Sequence, residues 1–459
     1  EAKTQNSPTD DIPTLNAGST RTYTSTTKTA YRILSGFGRI NYNYDMRYLI
    51  SFVARYDGIS KLKDNRWGFF PGVSVGWNIM EERFWKDSKI SGVISNLKPR
   101  LSYGVNGNVN GIGNFDVYGA YSQVGAKTYG GSTAFYNSGL VNTGLRWEQS
   151  QSFEAGLDIG FLNNRLSFIL DYYNRTTKDL LTKQALPGYT GFTEIMTNMG
   201  TLRNYGFEME VRANILNNPK GLTWDVTANL SSVANKIVKL PYNGNPNNRV
   251  GGYEVATGKE GWQPIEPGDV CWEDINGDGV INGYDRQVVG NIFPKVTGGF
   301  STTLGYKNLS LYARFDYALG HTIYNDLAAR SLGQYQGSFN IIKEVKKTWS
   351  ETNTDTDLPA FYYADQLSKK NITRSNNGLT AIDNNSSRFY EKGDYLALRE
   401  LTLNYNLPKT WISKVGMTDA SVYVTGQNLF YITGYTGVSP EPAVDTTYGR
   451  GIDNGRYPT

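Results

Sequence analysis

Cysteine and histidine are nearly missing from this chain: 459 residues carry one of each. A lone Cys271 closes no intrachain disulfide, which excludes a disulfide scaffold. A lone His321 excludes zinc fingers and other histidine-based metal centres. Long apolar runs are missing as well. No stretch approaches the ~18 residues of a helical membrane span, and the mean hydropathy is −0.47. Net charge is small, +4 from 46 basic and 42 acidic side chains, so nothing in it marks nucleic acid as a partner. What is plentiful is tyrosine, 33 residues against 19 Phe and 9 Trp, together with 50 glycines. That profile suits a large all-β protein, in water or in a membrane.

At ~150 residues per domain the length suggests two to four domains. No Pro- or Ser-rich spacer, charge block or short repeat separates them, however. The first thirty or so residues are polar and loop-like, with no starting Met and no basic stretch leading into an apolar one. No signal peptide is visible there, and the chain reads as mature or as a fragment.

Period-two alternation decides the architecture. In RYLISFVARYDG, Tyr48, Ile50, Phe52, Ala54 and Tyr56 share one face, with Ser51, Arg55 and Asp57 on the other and Leu49 and Val53 as exceptions. YGFEMEVRANI sets Phe207, Met209, Val211, Ala213 and Ile215 against Glu208, Glu210, Arg212 and Asn214. About twelve such segments, each the length of a tilted membrane strand, fall near 36–44, 47–57, 69–79, 96–105, 150–161, 165–175, 205–215, 222–231, 298–306, 309–318, 395–406 and 419–428. Asp45-Met46, Asn163-Asn164 and Lys307-Asn308 read as tight hairpin turns, with a slightly longer one at 216–221. The connections around 81–95 and 408–418 read as short helices. Between these lie long connections at 58–68, 106–149, 176–204, 232–297 and 319–394.

Short and long connections therefore alternate. Long structureless connections are uncommon in compact soluble domains. A transmembrane antiparallel β-barrel predicts the pattern directly, with short periplasmic turns, long extracellular loops and apolar-out, polar-in strands. Its closure satisfies the backbone in lipid. Tyr42, Tyr44, Tyr48, Trp67, Trp77, Tyr172, Tyr173, Trp224 and Tyr405 suit its interfacial aromatic girdles. A soluble sandwich or propeller is the alternative on alternation alone.

One long connection holds DINGDGVINGYD, residues 274–285. Oxygen ligands stand at loop positions one, three and five (Asp274, Asn276, Asp278), and Gly279 stands at six, where the backbone must turn sharply. The Val280 carbonyl follows at seven, Asn282 at nine and Asp285 at twelve. Hard divalent cations take such clustered oxygens, so the loop is expected to bind a structural calcium. Asp at position twelve replaces the usual bidentate Glu, and no amphipathic helix precedes it. A metal-free Asn/Asp/Gly turn is the alternative.

Catalysis finds little support, and the chain is not read as an enzyme. His321 lacks a nucleophile motif and reads as a surface or pore-lining residue. Glu208 and Glu210 suit a hydrated lumen better than a glycosidase pair. The GNVNGIGNF run lacks the Lys and following helix of a phosphate cradle. Aromatics are frequent in the long connections. Of these, Tyr253, Trp262, Tyr335 and Tyr362 are the candidates to stack on sugars or hold a peptide, with packing of the loops on themselves as the other role open to them.

Several segments together resemble one family, the SusC/RagA-like TonB-dependent outer-membrane transporters. They are RYDGISKLKDNRWGFFPGVSVGWNI, GLDIGFLNNRLSFILDYYNRTTKDLL, NMGTLRNYGFEMEV, DINGDGVINGYDRQVVGN, YLALRELTLNYNLP, GQNLFYITGYTGVSPE and the terminal RYPT. The resemblance spans nearly the whole chain. It implies a barrel of about 22 strands in the bacterial outer membrane, with an N-terminal plug. It also implies TonB-driven import of oligosaccharide or peptide under a SusD-like surface lipoprotein as lid. No plug or TonB box is visible, so residues 1–459 are expected to be the C-terminal part of such a barrel, one strand short of the family's usual end. A passive porin-like channel and a secreted or surface glycan-binding β-protein remain as alternatives.

Overall fold

The computed structural model describes residues 3–5, 20–22, 29–119, 121–129, 132–218, 221–243, 267–270, 273–279, 285, 287–332, 342–361, 387–441 and 452–453. Twelve long strands dominate: β1 (Ile33–Tyr44), β2 (Tyr48–Ile59), β3 (Trp67–Trp77), β4 (Ile94–Asn108), β5 (Glu148–Phe161), β6 (Leu166–Ala185), β7 (Glu194–Asn217), β8 (Leu222–Lys239), β9 (Val296–Tyr306), β10 (Leu309–Leu319), β11 (Tyr395–Asn406) and β12 (Ser421–Thr433). They form one sheet whose strand order is the chain order. All twelve expected segments are strands. By chain contacts the molecule divides into two compact units. One comprises Glu1–Ile159, Asp171–Gly206 and Ala234–Asn248; the other comprises Gly160–Leu170, Phe207–Val233 and Arg249–Thr459.

The hairpins follow from their turn residues. Asp45 and Met46 both adopt positive φ (52° and 54°), as a two-residue turn between twisted strands requires. Asn163 and Asn164 do the same at 59° and 60°. The connections after β3 and β11 contain the expected short helices, Arg83–Lys86 between two 3₁₀ turns and Lys409–Ile412 followed by one.

Cross-strand register turns the alternation into rows. In the second unit Trp224, Leu304, Leu311, Leu403 and Val424 stand directly opposite one another on five successive strands, and all are exposed. Beside them, toward the short turns, runs Leu222, Tyr306, Leu309, Tyr405 and Val422. The intervening positions carry a polar row, Asp225, Thr303, Tyr312, Thr402 and Thr425. An apolar sheet face that stays exposed across five strands needs a covering solvent of its own kind, which is lipid. Thr302 lies on that face, and its hydroxyl accepts a hydrogen bond from Trp224 Nε1 at 2.9 Å.

The first unit repeats the pattern. Tyr42, Ile50, Val75 and Leu101 form an exposed apolar row, and Asn41, Ser51, Ser74 and Ser102 form the polar row beside it. The two sequence exceptions are explained by what they face: Leu49 pairs with Gly76 and Val53 with Gly72, glycines that leave room for them. At the short-turn end Tyr44, Tyr48 and Trp77 stack in file with centroids 6.3 Å apart, and Phe84 extends the file. Tyr56 stacks on Trp67 at 5.0 Å toward the other end. Tyr48 and Tyr56 are eight residues apart, about 26 Å along a strand, close to the height of an outer-membrane apolar band between its girdles.

Glu82 anchors the first file from the turn side. Its carboxylate accepts hydrogen bonds from Tyr48 Oη (2.6 Å) and Trp77 Nε1 (3.0 Å) and pairs with Arg47 at 3.4 Å. Those bonds, that from Tyr48 foremost, hold the Glu82 carboxyl below the usual carboxylate range. The stabilisation is therefore complete above the unfolded value of ~4.3 and is lost as pH falls through the lower folded value. In Glu82→Gln this acid-driven loosening should disappear. Hydrogen exchange of residues 78–93 across an acid titration checks it, and an unchanged profile would count against it.

The connection expected at 176–204 is mostly strand. β6 runs to Ala185 and β7 begins at Glu194, leaving a short link with a 3₁₀ turn at Gly188–Thr190. Above the membrane neither face of a strand meets lipid, and Leu181 and Met196 pack on a loop core instead, so the backbone ladder continues after the apolar alternation has ended. The connection 106–149 is likewise not structureless. It carries a hairpin, Tyr121–Tyr129 with Ser132–Asn137. Its remaining residues help build a core of Ile59, Leu62, Phe70, Val109, Ile112, Val117, Leu145 and Trp147. The GNVNGIGNF run therefore supplies Val109 and Ile112 to the core, and its Gly107 lies against the Phe70 ring, where a Cβ would collide. A three-stranded sheet, Tyr390–Lys392, Thr322–Asn325 and Ile452–Asp453, stands in and beyond the connection between β10 and β11.

Candidate functional site

The polar strand faces carry the charged groups. In the first unit Arg100 bridges two carboxylates, Asp158 at 2.9 Å and Asp171 at 3.1 Å. Gly156 makes the bridge possible, because a Cβ there would strike both Asp171 and Arg100. Arg39 donates to Asn41 and Ser51 on the same face. A hollow of about 340 Å³ is lined by Asn41, Ser51, Ser74, Lys98, Arg100 and Glu154, among others.

In the second unit Thr227, Asn229, Ser301, Arg314, Asp316 and Arg399 line a hollow of about 400 Å³. Gly298 and Gly299 form part of its floor, where a side chain would collide with the Asn229 and Phe315 carbonyls. Arg399 donates from Nη2 to Asp316 at 2.9 Å and from Nη1 to Tyr431 at 2.8 Å, and it pairs with Glu441. Such faces, with both charge signs and many hydroxyls and amides, suit a wetted interior that passes polar solutes.

Sequence reasoning did not single out Arg399, though the signal was present. Arg399 and Glu400 are consecutive charges in an alternating strand, and both can face water only across a bulge. The register slips there, between Leu398 and Glu400. His321 corrects an expectation: it is buried, not at the surface or lining a pore. Its Nε2 lies 3.2 Å from the Pro440 carbonyl, Gly393 packs against the ring, and Nδ1 has no hydrogen-bond partner among the described residues. This burial comes from Gly393 and Pro440, segments more than 70 residues distant, which the residues around His321 do not announce.

In the calcium-type loop the described residues fold around Asp274, Asn276, Asp278 and Asp285. Asp274 accepts hydrogen bonds from the Gly277 and Gly279 amides at 2.8 and 2.7 Å. Buried Asp285 accepts from those of Ile275 and Asn276. Gly279 takes φ of 81°, the sharp turn expected at position six. Val280 and Asn282 lie outside the described residues. Among the described residues no three His, Cys, Asp or Glu side chains come close enough to share an ion. Tyr253, Trp262, Tyr335 and Tyr362, the candidates for substrate contact, also lie outside the described residues.

Residues 2–341 match the family model described as TonB dependent receptor-like, beta-barrel. TonB-dependent receptor P3 of Formosa agariphila is 31% identical over 93% of this chain and 44% of that protein. TonB-dependent receptor SusC of Bacteroides thetaiotaomicron is 30% identical over 93% of this chain and 42% of that protein. Among solved structures, the RagAB peptide importer in its open-open state superposes with a TM-score of 0.72 at 26% identity, covering 98% of this chain and 48% of that one. The chain thus spans under half the length of the curated relatives it matches. With its exposed apolar rows, polar interior rows and alternating connections, the chain belongs to the TonB-dependent receptor-like β-barrel family and is an outer-membrane protein of the SusC/RagA-like kind.

Proposed function

We propose that this chain is the C-terminal part of the barrel of an active outer-membrane importer. In this reading about 22 strands close the full barrel, and a plug lies in sequence outside residues 1–459. Energy comes through TonB, and a SusD-like lipoprotein covers the outer mouth. The observation that carries the reading is the pairing of continuous lipid-facing rows with a charged, hollowed polar face on the same strands. The substrate is an oligosaccharide or a peptide. The aromatic- and amide-rich loops favour the first, and the likeness to RagAB, a peptide importer, favours the second.

The test is uptake of fluorescent oligosaccharides and peptides by cells expressing the full-length protein, with and without a functional TonB. Import should require TonB, and the purified protein should be closed in planar bilayers. Steady conductance without TonB would replace this reading with a passive porin-like channel.

Structural calcium in the 274–285 loop belongs to the same proposal, with Asp274, Asn276, Asp278, the Val280 carbonyl, Asn282 and Asp285 as ligands. The all-oxygen donor set and the turn at Gly279 support it. Terbium should bind the loop and luminesce by transfer from nearby aromatic residues, and Asp278→Ala should weaken it by about tenfold or more. Terbium affinity unchanged by Asp278→Ala would remove calcium from the account.

A further inference from the structure

Two of the motifs that mark the family resemblance meet in space. YLALRELTLNYNLP carries Arg399, and GQNLFYITGYTGVSPE carries Tyr431, Thr436 and Glu441. After β12 the chain does not run free: residues 434–441 fold back over the ends of β10 and β11 and are held at each step. Near the start, Thr433 donates to the Asp394 carbonyl at 2.7 Å and Tyr435 is buried. In the middle, Glu391 accepts from the Thr436 amide (2.9 Å), the Thr436 hydroxyl (2.8 Å) and Asn325 Nδ2 (2.9 Å). Asn325 and Glu391 belong to adjacent strands of the small sheet, so this carboxylate ties the returning segment to that sheet. Toward the far end buried His321 meets the Pro440 carbonyl, and buried Ser439 accepts from the Glu441 amide at 3.1 Å.

The segment terminates on Arg399. One guanidinium holds Asp316 of β10, Glu441 of the returning segment, Tyr431 and Asn428 of β12. The Tyr431 hydroxyl in turn donates to Glu441 at 3.3 Å. Only arginine offers five donors in a planar fork able to serve these partners together. Its side chain is 17% exposed, against 33% for Asp316 and 24% for Glu441. The carboxylates are therefore partly withdrawn from water and depend on it.

We propose that residues 434–441 are a strap and Arg399 its buckle: together they lock the small external sheet to the ends of β10 and β11 and so position the extracellular loops that rise from them. The strap is a device of the barrel wall and does not depend on the import reading, since a passive channel would need its loops placed as well.

Hydrogen exchange by mass spectrometry on the full-length protein in nanodiscs tests this. In Arg399→Met, amides of 321–325, 390–392 and 434–441 should exchange about tenfold faster or more, with β1–β4 unchanged. Arg399→Lys should fall between, because a point charge cannot bridge all four partners. Glu441→Gln weakens the strap while leaving the Arg399–Asp316 pair in the wall, and it should raise exchange in 434–441. A folded, inserted Arg399→Met with wild-type exchange in the strap overturns the proposal. If Arg399→Met does not insert, wild-type strap exchange in Glu441→Gln overturns it instead.

Discussion

Leu401→Arg should destabilise the inserted barrel by about 2–4 kcal/mol, the range for a cation on the lipid face near the bilayer midplane. Leu401 is exposed on β11, in the row with Val226, Thr302, Ala313 and Gly426, one step deeper than the row of Leu403. In lipid the guanidinium has neither water nor an acceptor, and it escapes only by snorkelling toward an interface. Thr402, the next residue, points to the polar face, where its hydroxyl meets Thr425 at 2.9 Å and Glu400 at 3.1 Å. Thr402→Arg should cost less than about 1 kcal/mol, because the new charge meets water and Glu400. Denaturant unfolding from lipid vesicles compares the two. Equal losses would mean that the rows do not separate lipid from lumen.

Trp147→Ala should cost about 3–5 kcal/mol, the usual loss for a large buried aromatic, and the loss should fall on the loop core. Trp147 packs edge-on against Phe70 at 5.4 Å and donates from Nε1 to the Arg66 carbonyl at 2.8 Å. Truncation opens a cavity beside Leu62, Ile112 and Leu145, all almost fully buried. It also removes one of the two donors to the Arg66 carbonyl, which keeps the Ile59 amide at 3.2 Å. The lipid-facing rows of β1–β4 do not depend on this core. Proteolysis should therefore reach residues 109–118 while the protein still inserts. Cleavage no faster than in the wild type would show that the core does not hold these loops.

The strands were legible because lipid and water impose opposite demands on alternate residues. Tyr48, Ile50, Phe52 and Tyr56 could be assigned to one face with no neighbour in view. The turns were legible for an equally local reason: Asp45-Met46 and Asn163-Asn164 sit where the backbone must take positive φ. Legibility stopped where lipid no longer covered one face. Beyond Arg175, β6 no longer has lipid on one face: it carries Thr176, Thr177 and Lys178, and Leu181 packs on the loop core, so the alternation vanished while the hydrogen-bonded ladder went on. The candidate site was legible in parts. The calcium-type loop was visible as a run of oxygen donors. The Arg100 bridge was not, because Asp158 and Asp171 reach it from two other strands.

By itself, then, the sequence determined the class, the number and order of the long strands, the short-turn and long-loop ends, and the membrane as solvent. All of these are set by residues one or two positions apart. Only the tertiary structure decided that Val109 and Ile112 form core, that His321 is buried against Pro440, and that Arg399 gathers Asp316 and Glu441. Those outcomes depend on which distant segments are brought together. A charge or an apolar side chain in a loop carries no local sign of the partner it will meet.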